Sequence, residues 1–182
     1  MGKEIRVLIP GETVENRIQE IADAISAEYE GEAVHLICIL KGSVFFTCAL
    51  AQRITVPVTI DFMKVSSYGD GVSSSGVVRI EKDTDETLEN KNVIVIEDII
   101  DSGRTLHYLL GIMRHRHPKT LKLCTLLDKP SRRVMDVPVD YVGFEVPDVF
   151  VVGYGLDFAQ KYRNLPYIGH IVETGDDCEP GE

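Results

Sequence analysis

The sequence predicts an α/β fold with a mostly parallel central sheet flanked by helices. Short runs of apolar, β-branched residues alternate along the chain with amphipathic segments of helical period, and this alternation is typical of βαβ units. The clearest run, residues 93–96, is apolar throughout, as expected for a strand that is buried on both faces of a parallel sheet. These two observations predict the fold class before any functional residue is considered.

The predicted elements follow one another along a single domain. A strand at 5–9 precedes a helix at 13–29 that carries apolar residues on one face and ends at Gly31. Further strands are expected at 34–40, 58–65, 77–82, 93–96, 121–127, 141–146 and 149–154, and further helices at 44–54 and 106–116. The segment 77–82 is expected to return antiparallel to 58–65. No repeat or linker interrupts the series, so we predict one domain over 1–174 and a disordered acidic tail over 175–182.

Composition limits the classes of protein to consider. A chain of 182 residues can bury one full core, and its net charge of −10 argues against a general nucleic-acid binder. No apolar run reaches the ~18 residues of a membrane span, and no signal peptide is recognised, so we expect a cytoplasmic protein. The cysteines show no CxxC spacing, and Cys38, Cys48 and Cys124 lie in apolar stretches, where core thiols are expected.

The segment after the central strand carries the strongest functional signal. Two adjacent acids, Glu97 and Asp98, follow the apolar run, and a loop comes next that contains Asp101, Ser102, Gly103, Arg104 and Thr105. Open α/β sheets bind ligands beyond the carboxyl ends of such strands. The small loop residues and a helix beginning near Arg104 predict a phosphate site, because a helix N-terminus offers free N–H groups. The paired acids suit a sugar diol or a metal ion, so the segment predicts a sugar phosphate as substrate.

Residues 97–105 resemble the phosphoribosyl pyrophosphate (PRPP) signature of type I phosphoribosyltransferases, and the chain as a whole resembles more narrowly the members acting on 6-oxopurines. Four further motifs appear in the order of that family, at 40–43, 66–68, 127–129 and 150–157, and Arg163 follows them. The resemblance covers residues 5–174. It implies the type I phosphoribosyltransferase fold, with a small hood subdomain formed from the terminal segments.

The resemblance implies which residues bind PRPP. They are Lys41, Gly42, Glu97, Asp98, Asp101, Ser102, Gly103, Arg104, Thr105 and Arg163. Lys41 and Gly42 would contact pyrophosphate, with a strained peptide bond after the lysine, and Arg163 would meet the same group. From its residues alone, 41–43 reads more simply as a strand-to-helix turn. The Ser/Gly-rich loop 66–76 reads as a mobile hairpin tip, whereas the resemblance makes it a lid that carries Ser67 and Tyr68.

The resemblance also implies a purine site built from Lys129, Phe150, Val151, Asp157 and Ile99. Lys129 would donate to the exocyclic oxygen of the base, Phe150 would stack on its ring, and Val151 would offer backbone groups. By pattern alone, Lys129 reads as a solvated charge and Phe150 as a core residue. We interpret Arg132 and Arg133 as surface charge. Gly155 stands where mammalian members carry alanine, a difference that we expect to be nearly neutral.

The implied reaction transfers the 5-phosphoribosyl group from PRPP to N9 of hypoxanthine or guanine, giving IMP or GMP and pyrophosphate. Asp101 would accept the N7 proton and Lys129 would polarise O6. Mg²⁺ is the implied cofactor, held by Glu97, Asp98 and Asp157. The implied partners are PRPP, a 6-oxopurine base and further copies of the chain in a dimer or tetramer, with no nucleic acid and no membrane.

Three alternatives remain open at the level of sequence. A regulator with this fold could bind RNA, although the charge of −10 and the lack of a basic stripe count against it. A related transferase could use xanthine or a pyrimidine, against which Lys129 and the segment 150–157 argue. A non-catalytic nucleotide-binding domain is opposed by Asp101 and the complete loop that follows it.

Overall fold

Strands and helices alternate over the first two thirds of the chain, except that three strands follow one another between residues 58 and 100. A computed structural model describes residues 2–67 and 78–174. In chain order its elements are β1 (Gly2–Ile9), α1 (Gly11–Glu28), β2 (Val34–Ile39), α2 (Val44–Ala51), β3 (Val58–Ser67), β4 (Val78–Lys82), β5 (Asn92–Ile100), α3 (Arg104–Arg114), β6 (Thr120–Asp128), β7 (Tyr141–Glu145), β8 (Val151–Val152) and β9 (Ile168–Thr174). A short 3-10 turn (Pro130–Arg132) follows β6.

Six of these strands form the central sheet in the order β4-β3-β2-β5-β6-β7. The pairs β2/β3, β2/β5, β5/β6 and β6/β7 are parallel, and β4 alone runs antiparallel to its neighbour β3. The predicted mostly parallel sheet is therefore confirmed, as is the antiparallel return of the segment near residue 80.

The two faces of β5 explain why its sequence is continuously apolar. Ile94 and Ile96 pack into the core cluster that contains the buried faces of α1 and α2. Val93 and Val95 face the other way, into the cluster that contains Leu109 and the other buried residues of α3. Helices thus cover both faces of the sheet, as predicted, and every side chain from Asn92 to Ile96 is buried.

A second, smaller sheet joins the two ends of the domain. Its three strands lie in the order β1-β9-β8 and are antiparallel throughout. The sequence pattern did not predict β9, and the run expected at 149–154 contains only the short strand β8. The resemblance assigns the hood to these terminal segments, and the existence of the hood as a separate subdomain stays a prediction.

The three cysteines that the structure describes differ in burial. Cys38 and Cys124 are buried, but Cys48 is exposed on α2, so its assignment as a core thiol was wrong. The apolar residues around Cys48 had suggested burial, but its position on the helix faces away from the sheet.

The predicted tail, 175–182, lies outside the described residues. Among the helices that the structure describes, none is long and apolar enough to cross a membrane.

Candidate active site

The central strand continues into the acidic pair. The sequence predicted that the strand ends at Ile96, but β5 continues to Ile100. Glu97 and Asp98 therefore belong to the strand itself. Glu97 pairs with Thr125 of β6 in the parallel register. The acids are therefore held by the sheet and not by a loop, which fixes their position relative to the loop that follows.

The loop 101–105 is anchored by hydrogen bonds to the segment that follows Lys129. The carbonyl of Ser102 accepts hydrogen bonds from the N–H groups of Val134 and Met135, both at 3.0 Å. Gly103 has φ of +76°, and a Cβ there would lie 2.8 Å from the Met135 carbonyl oxygen. Only glycine suits this left-handed, crowded position. Helix α3 begins at the next residue, as predicted, with its free N–H groups facing the loop.

Loop and strand end enclose a small cleft of about 270 Å³. Its polar wall consists of Glu97, Asp101, Ser102, Gly103 and Thr105, and its apolar wall includes Ile39, Val65 and Leu106. A cleft with these donors at a helix N-terminus can hold a phosphate group. Arg104 belongs to the predicted set but is exposed and does not line the cleft.

The paired acids sit in an unfavourable environment for two charges. Burial and the adjacent Asp98 carboxylate raise the pKa of Glu97 well above its usual range. Burial also raises the pKa of Asp98, although hydrogen bonds from Glu97 and from the Ile99 N–H partly oppose it. A ligand that brings hydroxyl donors or positive charge would stabilise the charged forms of these two partly buried acids.

A larger cleft of about 650 Å³ opens on the other side of β5. It is lined by Asp98, Ile99, Asp101, Lys129, Arg132, Asp148, Val149, Phe150, Val151, Leu156 and Asp157. All five residues of the predicted purine site are therefore together in one cleft. Ile99 and Asp101 line both clefts, so Asp101 stands where the two meet.

Lys129 and Phe150 both depart from what their patterns alone suggested. Lys129 is only 6% exposed, and its Nζ donates to the Val149 carbonyl oxygen at 2.8 Å. Phe150 is 54% exposed in the cleft and meets Phe158 edge to face, with ring centroids 5.4 Å apart. A buried ammonium beside an open aromatic face can recognise a planar ligand that carries a carbonyl oxygen.

The surface interpretation was wrong for Arg133, whereas Arg132 is exposed as expected but also lines the large cleft. Arg133 is largely buried and ion-paired with Asp128, next to Lys129, so its charge is balanced inside the fold. Arg132 lines the large cleft and contacts Asp148 and Asp101. Sequence reasoning missed Arg132 and Asp148 as site residues. The one available signal was position in the sequence, where Arg132 is close to Lys129 and Asp148 is close to Phe150.

The remaining predicted residues, Lys41, Gly42 and Arg163, lie outside the lining of both clefts. Arg163 pairs with Asp157 at 2.6 Å and donates to the Gly155 carbonyl oxygen at 2.6 Å. Lys41 is exposed, and Gly42 is buried against Asp98. The non-proline cis peptide lies between Leu40 and Lys41, so the unusual bond precedes the lysine and does not follow it.

Gly155 is not interchangeable with alanine in this chain. Its φ is +103°, and a Cβ built there would lie 1.9 Å from the Gly42 carbonyl oxygen. The expectation of a nearly neutral position was therefore wrong, because the loop of Gly155 packs directly on the loop of Gly42. This contact ties the segment bearing Asp157 and Arg163 to the segment bearing Lys41.

The three acids expected to hold a metal are divided between the clefts. Glu97 lines the small cleft, whereas Asp98 and Asp157 line the large one. Over residues 2–67 and 78–174, no three His, Cys, Asp or Glu side chains converge as a metal site. Of the predicted lid, Ser67 ends β3, and Tyr68 with most of the loop 66–76 lies outside the described residues.

A loop at a helix N-terminus after the central strand, with Asp101 between two clefts of a mostly parallel sheet, is the arrangement expected of a type I phosphoribosyltransferase. The family model described as "Phosphoribosyl transferase domain" matches residues 10–159, and the chain belongs to this family. Family membership therefore rests on the sequence match and on the fold together.

Similar proteins cover nearly the whole chain. A hypoxanthine phosphoribosyltransferase of Salmonella typhimurium is 48% identical over 174 residues, which are 94% of this chain and 98% of that protein. The crystal structure of a hypoxanthine-guanine phosphoribosyltransferase from Bacillus anthracis has a TM-score of 0.89 and 49% identity, covering 93% of this chain and 100% of that one. A hypoxanthine phosphoribosyltransferase structure from Staphylococcus aureus also has a TM-score of 0.89, with 44% identity, covering 92% of this chain and 91% of that one.

Proposed function

We propose that this chain is a purine salvage enzyme that transfers the 5-phosphoribosyl group from PRPP to N9 of hypoxanthine or guanine. The products are IMP or GMP and pyrophosphate. One observation carries the proposal: Asp101 lines both the phosphate cleft and the cleft that contains Lys129 and Phe150. A substrate with a phosphate and a base on opposite sides of a sugar matches this arrangement. The names of the relatives from Salmonella typhimurium and Bacillus anthracis support the same reaction.

The phosphate cleft would hold the 5′-phosphate. Ser102, Gly103 and Thr105 line it, and the N-terminus of α3 supplies backbone donors. Arg104 is exposed beside it and would add positive charge. Glu97 and Asp98 would accept hydrogen bonds from the ribose hydroxyls. These bonds would offset the free-energy cost of burying two carboxylates side by side.

Pyrophosphate would be held by Lys41, Gly42 and Arg163. Lys41 offers an ammonium, Gly42 offers a backbone approach that a side chain would block, and Arg163 offers a guanidinium. Arg163 is occupied by Asp157 and Gly155 in the structure, so it would exchange partners when pyrophosphate binds. The contact between the loops of Gly155 and Gly42 supports a shared role.

The large cleft would hold the purine. The ammonium of Lys129 would donate to O6, which favours a 6-oxopurine over adenine, because the 6-amino group of adenine is itself a donor. The exposed ring of Phe150 would stack on the base, and Ile99 would pack against it from the other side. Val151 and Asp157 line the same cleft and would bind the remaining polar edge.

The chemistry is substitution at C1′. The N9–C1′ bond forms as the bond between C1′ and the pyrophosphate oxygen breaks, and pyrophosphate leaves with the electron pair. Asp101 would accept the proton from N7 as N9 attacks. For this role its carboxylate must lie within hydrogen-bond distance of N7 when the base is bound. Most of the acceleration would come from holding the two substrates in line, since no residue needs to form a covalent intermediate.

The donor set fits Mg²⁺ as the cofactor. Glu97, Asp98 and Asp157 supply only hard oxygen ligands, and Mg²⁺ commonly binds one or two carboxylates together with substrate phosphates and water. A preformed cluster of three acids is therefore not required. When bound with PRPP, Mg²⁺ would neutralise charge on the leaving pyrophosphate.

Three further parts of the proposal complete the working enzyme. A lid that carries Ser67 and Tyr68 would exclude water while C1′ is electron-poor. The enzyme would act in the cytoplasm, and it would be a homo-oligomer, either a dimer or a tetramer. Sedimentation in solution tests the oligomer directly.

The decisive experiment measures pyrophosphate release from PRPP and Mg²⁺ with hypoxanthine, guanine, xanthine, adenine and uracil offered separately. We expect turnover with hypoxanthine or guanine and none with adenine or uracil. Turnover restricted to xanthine or uracil would keep the reaction and overturn the assignment of Lys129. No turnover with any base would indicate a regulator or a binding domain, for which RNA binding is the next measurement.

A further inference from the structure

Four charged side chains alternate in sign around the rim of the large cleft. Lys129 Nζ lies 3.9 Å from Asp101 Oδ1 and 4.0 Å from Asp148 Oδ1. Arg132 closes the ring from the other side, with Nε 3.6 Å from Asp101 Oδ1 and Nη1 3.2 Å from Asp148 Oδ1. We call this set the charge ring: Asp101, Lys129, Asp148 and Arg132.

The two cations of the charge ring differ in what they are bound to. Lys129 is buried, and within the part of the chain that the structure describes its ammonium has one hydrogen-bond acceptor, the Val149 carbonyl oxygen. Both carboxylates stay beyond hydrogen-bond distance of Nζ. Arg132 Nη1, in contrast, contacts both oxygens of Asp148, at 3.2 and 3.3 Å. The carboxylates are therefore shared, and the closer cation is Arg132.

We propose that Arg132 is a positioning residue that draws Asp101 and Asp148 away from Lys129 and so leaves the ammonium free to donate to the base. The inference rests on the proposed function, in which Lys129 binds O6. Without Arg132, the two half-exposed carboxylates would move onto the buried ammonium, because a charge-assisted hydrogen bond there is stronger than a contact in water. The incoming base would then compete with the protein's own carboxylates.

Arg132 suits this role better than a lysine would. Its guanidinium is planar and presents several N–H groups in a fixed fork, so Nε can face Asp101 while Nη1 faces Asp148. A lysine ammonium is a single point charge and cannot span both acids in one geometry. The Arg132 side chain is 53% exposed, so no desolvation of its charge opposes this arrangement.

Steady-state kinetics of Arg132→Gln with hypoxanthine and PRPP test the inference. We expect KM for hypoxanthine to rise about tenfold, the size of one charge-assisted hydrogen bond, while KM for PRPP stays within about twofold. Arg132→Lys should fall between wild type and Arg132→Gln. As a control, Arg116→Gln removes a half-buried arginine that pairs with Asp83 and does not line the cleft, and it should change neither constant. An unchanged KM for hypoxanthine in Arg132→Gln overturns the inference.

A double variant separates positioning from a merely structural role. In Arg132→Gln with Asp148→Asn, one of the competing carboxylates is gone, so KM for hypoxanthine should fall back toward the wild-type value. If Arg132 only supported the loop, the second substitution would lower affinity further, and that result would overturn the inference. Wild-type turnover of hypoxanthine in the same assay reports separately on the proposed function, since its absence would refute that function whatever the variants do.

Discussion

The carboxylate of Asp98 occupies the space that a side chain on residue 42 would need. A Cβ built on Gly42 would lie 1.5 Å from Asp98 Oδ2, far inside contact distance. Gly42 has an ordinary φ, so glycine is required here by crowding and not by backbone conformation. The loop expected to bind pyrophosphate and an acid expected to bind ribose are thus fitted to one another.

Replacing Gly42 by alanine should therefore impair activity more than stability. The Asp98 side chain can rotate away from the new methyl group, so the fold survives, but its carboxylate leaves its place. We expect kcat/KM for PRPP to fall about 10²-fold, the usual effect of misplacing a binding group by about 1 Å. Initial rates at varied PRPP, with denaturant unfolding alongside, measure both quantities. Unchanged rates would show that Asp98 does not need its present position.

Gly111→Ala is the matched control for that experiment. Gly111 lies within α3, and a Cβ there meets no atom within 4 Å. Because alanine is the better helix former, the free energy of unfolding should rise by about 0.5–1 kcal/mol. Activity should stay at the wild-type level. A loss of activity would mean that the α3 surface contributes to the site.

Asp101→Asn should slow turnover far more than it weakens PRPP binding. The substitution removes the proposed base but keeps the phosphate loop that Ser102 and Gly103 form. We expect kcat to drop about 10²- to 10⁴-fold, the range for a lost general base, with KM for PRPP changing only a few-fold. Asp23→Asn on α1, which removes an acid distant from the clefts, is the control. Equal losses in kcat and PRPP affinity would make Asp101 a binding residue.

Lys129→Gln should relax the choice of base. An amide can donate to a carbonyl or accept from an amino group, so it no longer distinguishes O6 from a 6-amino group. We expect kcat/KM for hypoxanthine to fall about 10- to 100-fold, as for a lost hydrogen bond to a charged group, and the ratio of hypoxanthine to adenine use to fall with it. Lys119→Gln, which alters an exposed lysine paired with Glu32, should have no effect. Retained discrimination against adenine would assign base selection to other residues.

Stability should depend on pH through a histidine at the opposite end of the sheet. His35 is 2% exposed, its Nδ1 is 2.7 Å from Thr59 Oγ1, and its Nε2 is buried with no partner among the described residues. Burial lowers the pKa of His35, and the charge of Lys91 lowers it further, while Asp61 and Glu86 act in the opposite direction. The folded protein thus binds this proton less readily than the unfolded chain.

The sign follows from proton linkage. Between the lowered pKa of the folded state and the unfolded value of about 6.5, the unfolded chain binds more protons, so the free energy of unfolding falls as the pH is lowered through that window. We expect denaturant unfolding from pH 8 to pH 5 to show this loss in wild type. In His35→Gln, the loss should be smaller by the contribution of this one group. An identical pH dependence in both proteins would show that His35 titrates alike in the folded and unfolded states.

The sequence by itself determined the elements near the site. The apolar run at 93–96 predicted a strand buried on both faces, the apolar spacing after Arg104 predicted α3, and the small residues between them predicted the phosphate loop. These features depend on residues within a turn or a strand of one another, so they are readable locally. Family resemblance then supplied Lys129 and Phe150, whose own patterns suggested a surface charge and a core residue.

Only the tertiary structure decided how distant segments meet. The contact of Gly155 with the Gly42 carbonyl and the pairing of β9 with β1 join residues far apart in the chain, and no local pattern specifies either contact. The charge ring is of the same kind, since Arg132 and Asp148 lie in different connections and meet only across the cleft. Ion pairs and close backbone contacts depend on where folded segments come to lie, and that is a property of packing rather than of periodicity.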